Sequence, residues 1–193
     1  MPIGVLYLVV AAPALAVILV YLFWRAREQT HAEAALLQPA LSALETWCDE
    51  LLALVDEGQT LLDSAAITNK ASAMLGEIYQ LRSRINQAAS HASELREAYS
   101  AALKTLGVNL NGVLAPLNEA NAAVQSVHVQ ARRASSEGPP ELFRATARSA
   151  GAKISTLGVH ARALSASLAA WRLSLSPGRR AGTGRRPRAA AAG

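Results

Sequence analysis

Residues 140–175 read PELFRATARSAGAKISTLGVHARALSASLAAWRLSL, and the spacing within them decides the fold. Apolar or small residues recur four and three apart at Phe143, Ala147, Ala150, Ile154, Leu157, Ala161, Leu164, Leu168, Trp171 and Leu175. None of these positions carries a charge or an amide. This is the heptad period of a helix whose striped face needs another helix to bury it. Pro139-Pro140 cannot lie inside a helix and suits a helix start.

Three more stripes precede this one. The first runs Leu37, Leu41, Leu44, Cys48, Leu51, Val55. The second runs Ile67, Ala71, Met74, Ile78, Leu81, Ile85, Ala88, Ala92, Leu95, Tyr99, Ala102, Leu106. A shorter one runs Val113, Leu117, Ala120, Val124, Val127, Ala131, Ala134. Gly107, Asn109, Asn111, Gly112 and Pro116 mark one joint, and Glu137-Gly138-Pro139-Pro140 marks another. Gly58 reads as a helix end, with Thr60 and Asp63 resembling a capping box for the next helix. The stripes before and after this region are also out of phase, which requires a break.

The expected body is therefore all-α: helices over about 26–57, 60–106, 113–136 and 140–175, within a domain of 26–176. An elongated antiparallel up-down bundle places the first and last helices side by side. A long helical hairpin or an intermolecular coiled coil would use the same stripes. The many alanines permit close helix approach but make a thin core. Gly76, Gly151 and Gly158 are expected to allow close packing.

Charge is polarised along the chain. Glu28 to Asn69 holds eight acids and no Lys or Arg, while Leu142 to Ser176 holds five Lys or Arg and no acid. Neighbouring first and last helices would attract. The net charge of +5 hides this pattern. The single cysteine, Cys48, excludes an internal disulfide framework. Its place on a stripe reads as core, with an intermolecular disulfide as the alternative.

Residues 1–25 read as a transmembrane anchor. Ile3 to Trp24 contains no Asp, Glu, Lys, Arg or His and includes thirteen Leu, Ile, Val or Phe. A helix of that length spans about 33 Å, enough for a hydrocarbon core of about 30 Å. The thirteen residues favour insertion by roughly 4–8 kcal/mol. Pro13 is tolerable in such a helix. Tyr21, Trp24, Arg25 and Arg27 fit the membrane interface. A cleavable signal peptide would need a basic start and a shorter apolar core. A buried core helix would rarely be apolar on every face. Arg25 and Arg27 follow the span, which favours an outside N-terminus and a cytoplasmic body.

Residues 177–193 carry Arg179, Arg180, Arg185, Arg186 and Arg188, no acid and no apolar period, and read as disordered. They could be simply solvated or contact anionic lipid. Nucleic acid is a poorer partner because no aromatic residue is present to stack bases.

Motifs for chemistry are lacking. Glu28-Gln29-Thr30-His31 has one carboxylate and imidazole pair of the di-iron spacing, without the second pair that chemistry needs. His91 and Glu94 read as a solvated pair, and His128 and His160 as isolated. No Gly-rich phosphate loop, nucleophile elbow or paired zinc motif occurs. No catalytic, cofactor-binding or metal-binding residue is assigned. The sequence points to a non-catalytic, single-pass anchored helical scaffold that binds membrane lipid and a protein partner, or itself, through its stripes. The alternative is an extracytoplasmic sensor-like or ligand-binding bundle.

Overall fold

The computed structural model describes residues 37–68, 70–136 and 140–175. Two compact units divide the chain, Met1–Pro39 and Ala40–Gly193, and the fold described here is that of the second. The expected anchor and the Arg-rich segment lie outside the described residues. Among the described residues, no helix is long and apolar enough to cross a membrane.

Nearly all of the described residues are helical and none is in a strand, in agreement with the all-α expectation. Helix α1 covers residues 37–67. A 3-10 turn over Ala71–Met74 leads into α2, Leu75–Ala98. A short α3, Ser100–Leu106, precedes α4, Asn111–Ser136, and α5, Pro140–Leu175.

The stripes fold against one another within one chain. Leu44, Leu51 and Leu62 of α1, Ile78 and Ile85 of α2, Leu117 of α4, and Phe143, Ile154, Leu157 and Leu168 of α5 are each under 2 % exposed. Alanines fill many of the other stripe positions, with Ala92, Ala120, Ala131, Ala147, Ala150 and Ala161 all at 0 %. Each large side chain buried in this way contributes roughly 1.5–3 kcal/mol, and each Ala much less. No polar or charged residue is buried among the described residues.

Cross-helix contacts set the topology. Arg84 of α2 pairs with Glu57 of α1, and His91 with Glu50, so α1 and α2 run antiparallel. Asn121 of α4 donates to Asn86 of α2 at 2.8 Å, and Tyr79 lies 6.0 Å from His128, so α2 and α4 are antiparallel too. Lys153 of α5 pairs with Glu119 of α4 at 2.7 Å. Arg172 pairs with Glu45, while Gly158 meets Val55 and Gly151 meets Leu62, so α5 returns antiparallel along α1. The result is a four-helix up-down bundle with its first and last helices adjacent.

The expected break at Gly58 is corrected: α1 continues through it to residue 67. Thr60 Oγ1 donates back to the Asp56 carbonyl at 3.0 Å, and Asp63 accepts from Gln59 Nε2, so no capping box forms. Gly58 is buried instead where three helices meet. A Cβ there would lie 3.1 Å from Leu81 and 3.7 Å from Ile154. The first stripe runs on through Leu62 and Ala65, both buried. The phase change falls ten residues later, after Thr68. Ile67, expected on the second stripe, is 81 % exposed.

The expected continuous helix over 60–106 is also interrupted at Tyr99, whose φ of −118° and ψ of 25° leave the helical region. The step puts Leu103 in the core beside Leu106, with Ala102 only half-buried. Gly107 then ends α3 in the left-handed region at φ 64°. Val108 N–H donates to the Leu103 carbonyl and Gly107 N–H to that of Lys104, the hydrogen bonds of a Schellman cap. Asn109 Oδ1 accepts from the Asn111 N–H at 3.0 Å and opens α4. The joint is thus confined to 107–110, and Pro116 lies inside α4. The N–H that it lacks would have bonded the Gly112 carbonyl, and Gly112 is exposed, so water can serve that carbonyl.

Glycines separate into two kinds. A Cβ on Gly158 would stand 2.9 Å from Val55 Cγ1, closer than packed atoms allow, whereas one on Gly76 meets nothing within 4 Å. Gly158 therefore serves close packing, Gly151 leaves room for a Cβ at ordinary contact distance from Gln59 and Leu62, and the expectation for Gly76 is corrected. Gly158→Leu should lower unfolding stability by about 2–3 kcal/mol through overpacking. Gly76→Ala should raise it by roughly 0.5 kcal/mol. Urea unfolding of the full chain compares the two, and equal effects would refute this division.

Candidate interaction surfaces

Among the described residues, open clefts lie between α1 and α2 and between α2 and α4. One, of about 360 Å³, separates α1 from α2 and is floored by Trp47, Leu51, Leu54 and Ala88. Trp47 is 1 % exposed, and its indole N–H donates to the Ala88 carbonyl at 3.1 Å. This bond ties α1 to α2 and satisfies the one polar atom of a large buried ring. The first stripe omitted Trp47, because it sits one residue before Cys48 on the side facing α2. Glu50, Arg84 and His91 rim the cleft. His91 therefore faces Glu50 on α1 at 3.8 Å, rather than forming the pair with Glu94 read from sequence. The second cleft, about 400 Å³, lies between α2 and α4 and is lined by Ser93, Arg96, Asn111, Leu114 and Asn118.

Among the described residues, no group of three or more His, Cys, Asp or Glu side chains could hold a metal ion. His128 stacks at a tilt on Tyr79, and His160 is exposed on α5. Lys153, hydrogen-bonded at 2.7 Å, holds the Glu119 carboxyl below its usual value.

The acidic and basic helices meet more selectively than their net charges imply. Glu45 of α1 binds Arg172 of α5, but Glu50 and Glu57 turn to α2. At the other end of the bundle, Arg144 Nε donates to the Thr68 carbonyl at 3.2 Å. A cation beside the C-terminal carbonyls of α1 also opposes the negative end of its dipole.

The outer face of α5 differs from those of the other helices. Leu142, Ala145, Ser149, Ala152, Thr156, Val159, Ala163, Ala166, Ala170 and Leu173 follow a three-and-four spacing, alternately one and two residues before the stripe positions, and all are exposed. None is charged. Thr156 Oγ1 donates to the Ala152 carbonyl, which occupies its hydroxyl. By contrast, the outer face of α1 carries Asp49 and Asp56, and that of α2 carries Glu94 and Glu97. Sequence reading missed this ridge by following the stripe with larger residues, although its spacing was present in the same 36 residues.

The interface residues expected from sequence, Tyr21, Trp24, Arg25 and Arg27, lie outside the described residues, as do Arg179, Arg180, Arg185, Arg186 and Arg188. Pairing of Glu45 with Arg172 puts the start of α1 and the end of α5 at one end of the bundle.

Cys48 is 0 % exposed, and burial, reinforced by Asp49 and then Glu45, pushes its thiol up to about 12 from an ordinary 9.0. A protonated thiol without access cannot form the intermolecular disulfide that sequence left open. In the native chain Cys48 should react with thiol reagents at least about a hundredfold more slowly than after unfolding. Its folded value is raised, so its contribution to stability is complete below pH 9.0 and is lost as pH rises toward about 12. Stability should fall there by up to about 1.4 kcal/mol per pH unit relative to Cys48→Ala. Alkaline denaturation of the two proteins measures it, and parallel curves would refute it. No protein family, curated protein or solved structure matches the chain.

Proposed function

We propose that this protein is a single-pass, membrane-anchored, non-catalytic helical scaffold that gathers partner proteins at a membrane surface. One observation carries the reading: a charge-free apolar stretch, Ile3 to Trp24, precedes a bundle whose longest described helix turns an uncharged ridge to solvent. The stretch is long enough to cross a bilayer and favours insertion by roughly 4–8 kcal/mol. Leu142, Val159 and Leu173 on the ridge are each more than half exposed, at 52 %, 58 % and 56 %. A solvated helix face is ordinarily polar, and apolar area left in water is typical of a contact surface. The internal stripes of the described residues are largely covered within one chain, whereas this ridge stays open to a partner. Arg25 and Arg27, which follow the apolar stretch, support a body on the cytoplasmic side.

The full chain should stay with the bilayer after alkaline extraction. Val10→Arg with Leu15→Arg should release it, because two central arginines oppose insertion by roughly 5–7 kcal/mol. Cross-linking in native membranes should recover a neighbour, and Val159→Glu with Leu173→Glu should reduce that yield at least about tenfold. A chain that extracts freely, or that is recovered alone whatever stands at 159 and 173, would overturn the proposal.

A further inference from the structure

We infer that the uncharged ridge of α5 docks a second copy of this chain, with the two α5 helices antiparallel about a two-fold axis centred between Leu157 and Gly158. The inference rests on the reading of that ridge as a contact surface and names what covers it. A two-fold interface is complementary to itself, each residue meeting the counterpart that meets it. Reversed about this centre, Leu142 falls opposite Leu173 and Thr156 opposite Val159, while the three pairs between join Ala to Ala twice and Ser to Ala once. Large side chains meet at both ends, and two β-branched side chains of like shape meet at the middle. The small residues between them let the helices approach closely. All ten positions are exposed.

Charge selects the same arrangement. Arg148 and Arg162 stand two heptads apart, exposed along one flank of the ridge. Arg162 lies beside Gly158, which packs on Val55, so this flank is the α1 side. Along the neighbouring edge of α1, Asp49, Asp56 and Asp63 recur every seven residues and are exposed, and Asp63 lies near Gly151. A two-fold axis at right angles to the helices sets the α1 side of one copy beside the α1 side of the other. The register of Gly158 on Val55 and Gly151 on Leu62 then brings Arg148 within about 5 Å, along the helix axis, of Asp49 of the second copy, and Arg162 equally near its Asp63. Among the described residues, no ion pair within the chain uses Arg148, Arg162 or Asp49. A parallel pair would instead set this basic flank against Lys153, on the α4 side of the other ridge.

The area is enough for a reversible dimer. Leu142 to Leu173 spans about 47 Å of helix, and a helix is about 10 Å across, so the pair covers roughly 1,000 Å² over both copies. That meets the lower bound of a specific interface and suits weak association.

The test uses the full chain in mild detergent at micromolar concentration. Chains carrying Ala145→Cys are mixed with chains carrying Ala170→Cys and oxidised, and Cys48 is too buried to take part. In the antiparallel pair these two positions face each other, whereas each lies about 38 Å from its own counterpart. The mixture should therefore yield disulfide dimers at least about tenfold above either chain alone. Arg148→Glu with Arg162→Glu in both chains should lower that yield at least about fivefold. Giving the second chain Asp49→Arg with Asp63→Arg in their place should restore it. Chains with Ala145→Cys that link to one another as readily as the mixture would form a parallel pair and overturn the inference. So does a chain that stays monomeric throughout the micromolar range. If Val159→Glu with Leu173→Glu abolishes cross-linking to a different protein in native membranes while the cysteine mixture gives no dimer, the second copy is overturned and the scaffold stands. A mixed dimer from a chain that extracts freely from membranes does the reverse.

Discussion

Where α1 and α5 approach each other, three glycines replace side chains at the contact. Gly58 lies beneath Leu81 and Ile154, Gly151 faces Leu62, and Gly158 leaves Val55 no space for a Cβ between the helices. Helices that pack this closely have little latitude in register, most of all at Gly158, where a Cβ would already stand 2.9 Å from Val55. The contact joins the first and last described helices, so it closes the bundle. Its dependents include the pairing of Glu45 with Arg172, the grip of Arg144 on the end of α1, and the shared end of the bundle from which both helices lead away.

Small residues have two opposite effects here. Inside, alanine lets four helices approach but buries little apolar area per turn. The larger side chains must then be placed well, as Trp47 is, with its indole N–H satisfied by the Ala88 carbonyl. Outside, the same economy on α5 leaves a ridge without charge, where the outer faces of α1 and α2 carry acids. A helix with two uncharged faces is covered on one by its own chain and has the other available for contact.

Electrostatics are secondary in holding the bundle. The ion pairs that join helices are solvent-exposed, and such pairs contribute little individually. Their value lies in selecting neighbours: Glu57 and Glu50 turn α1 toward α2, and Glu45 turns it toward α5.

Several features were determined by sequence alone. Heptad spacing specified helices and the faces they bury, since periodicity is local and needs no knowledge of neighbours. Stripe positions such as Ile78, Val124 and Ile154 are buried accordingly. The paired prolines placed the start of α5, because a missing N–H acts at its own position. Phase analysis showed that a break must separate the first two stripes, but not where. Gly58 has the same sequence signature as a helix end and as a packing contact, and only Leu81 and Ile154 distinguish the two. Tertiary structure likewise decided that Gly76 packs against nothing, that His91 looks to Glu50, and that Tyr99 steps out of the helix to bring Leu103 inward. Each of these depends on residues 40 or more positions away, or on the register between whole helices. The surfaces were legible in part: the spacing of the uncharged ridge on α5 is present in the sequence, but that it meets water rather than a neighbouring helix depends on which face of α5 the other helices cover.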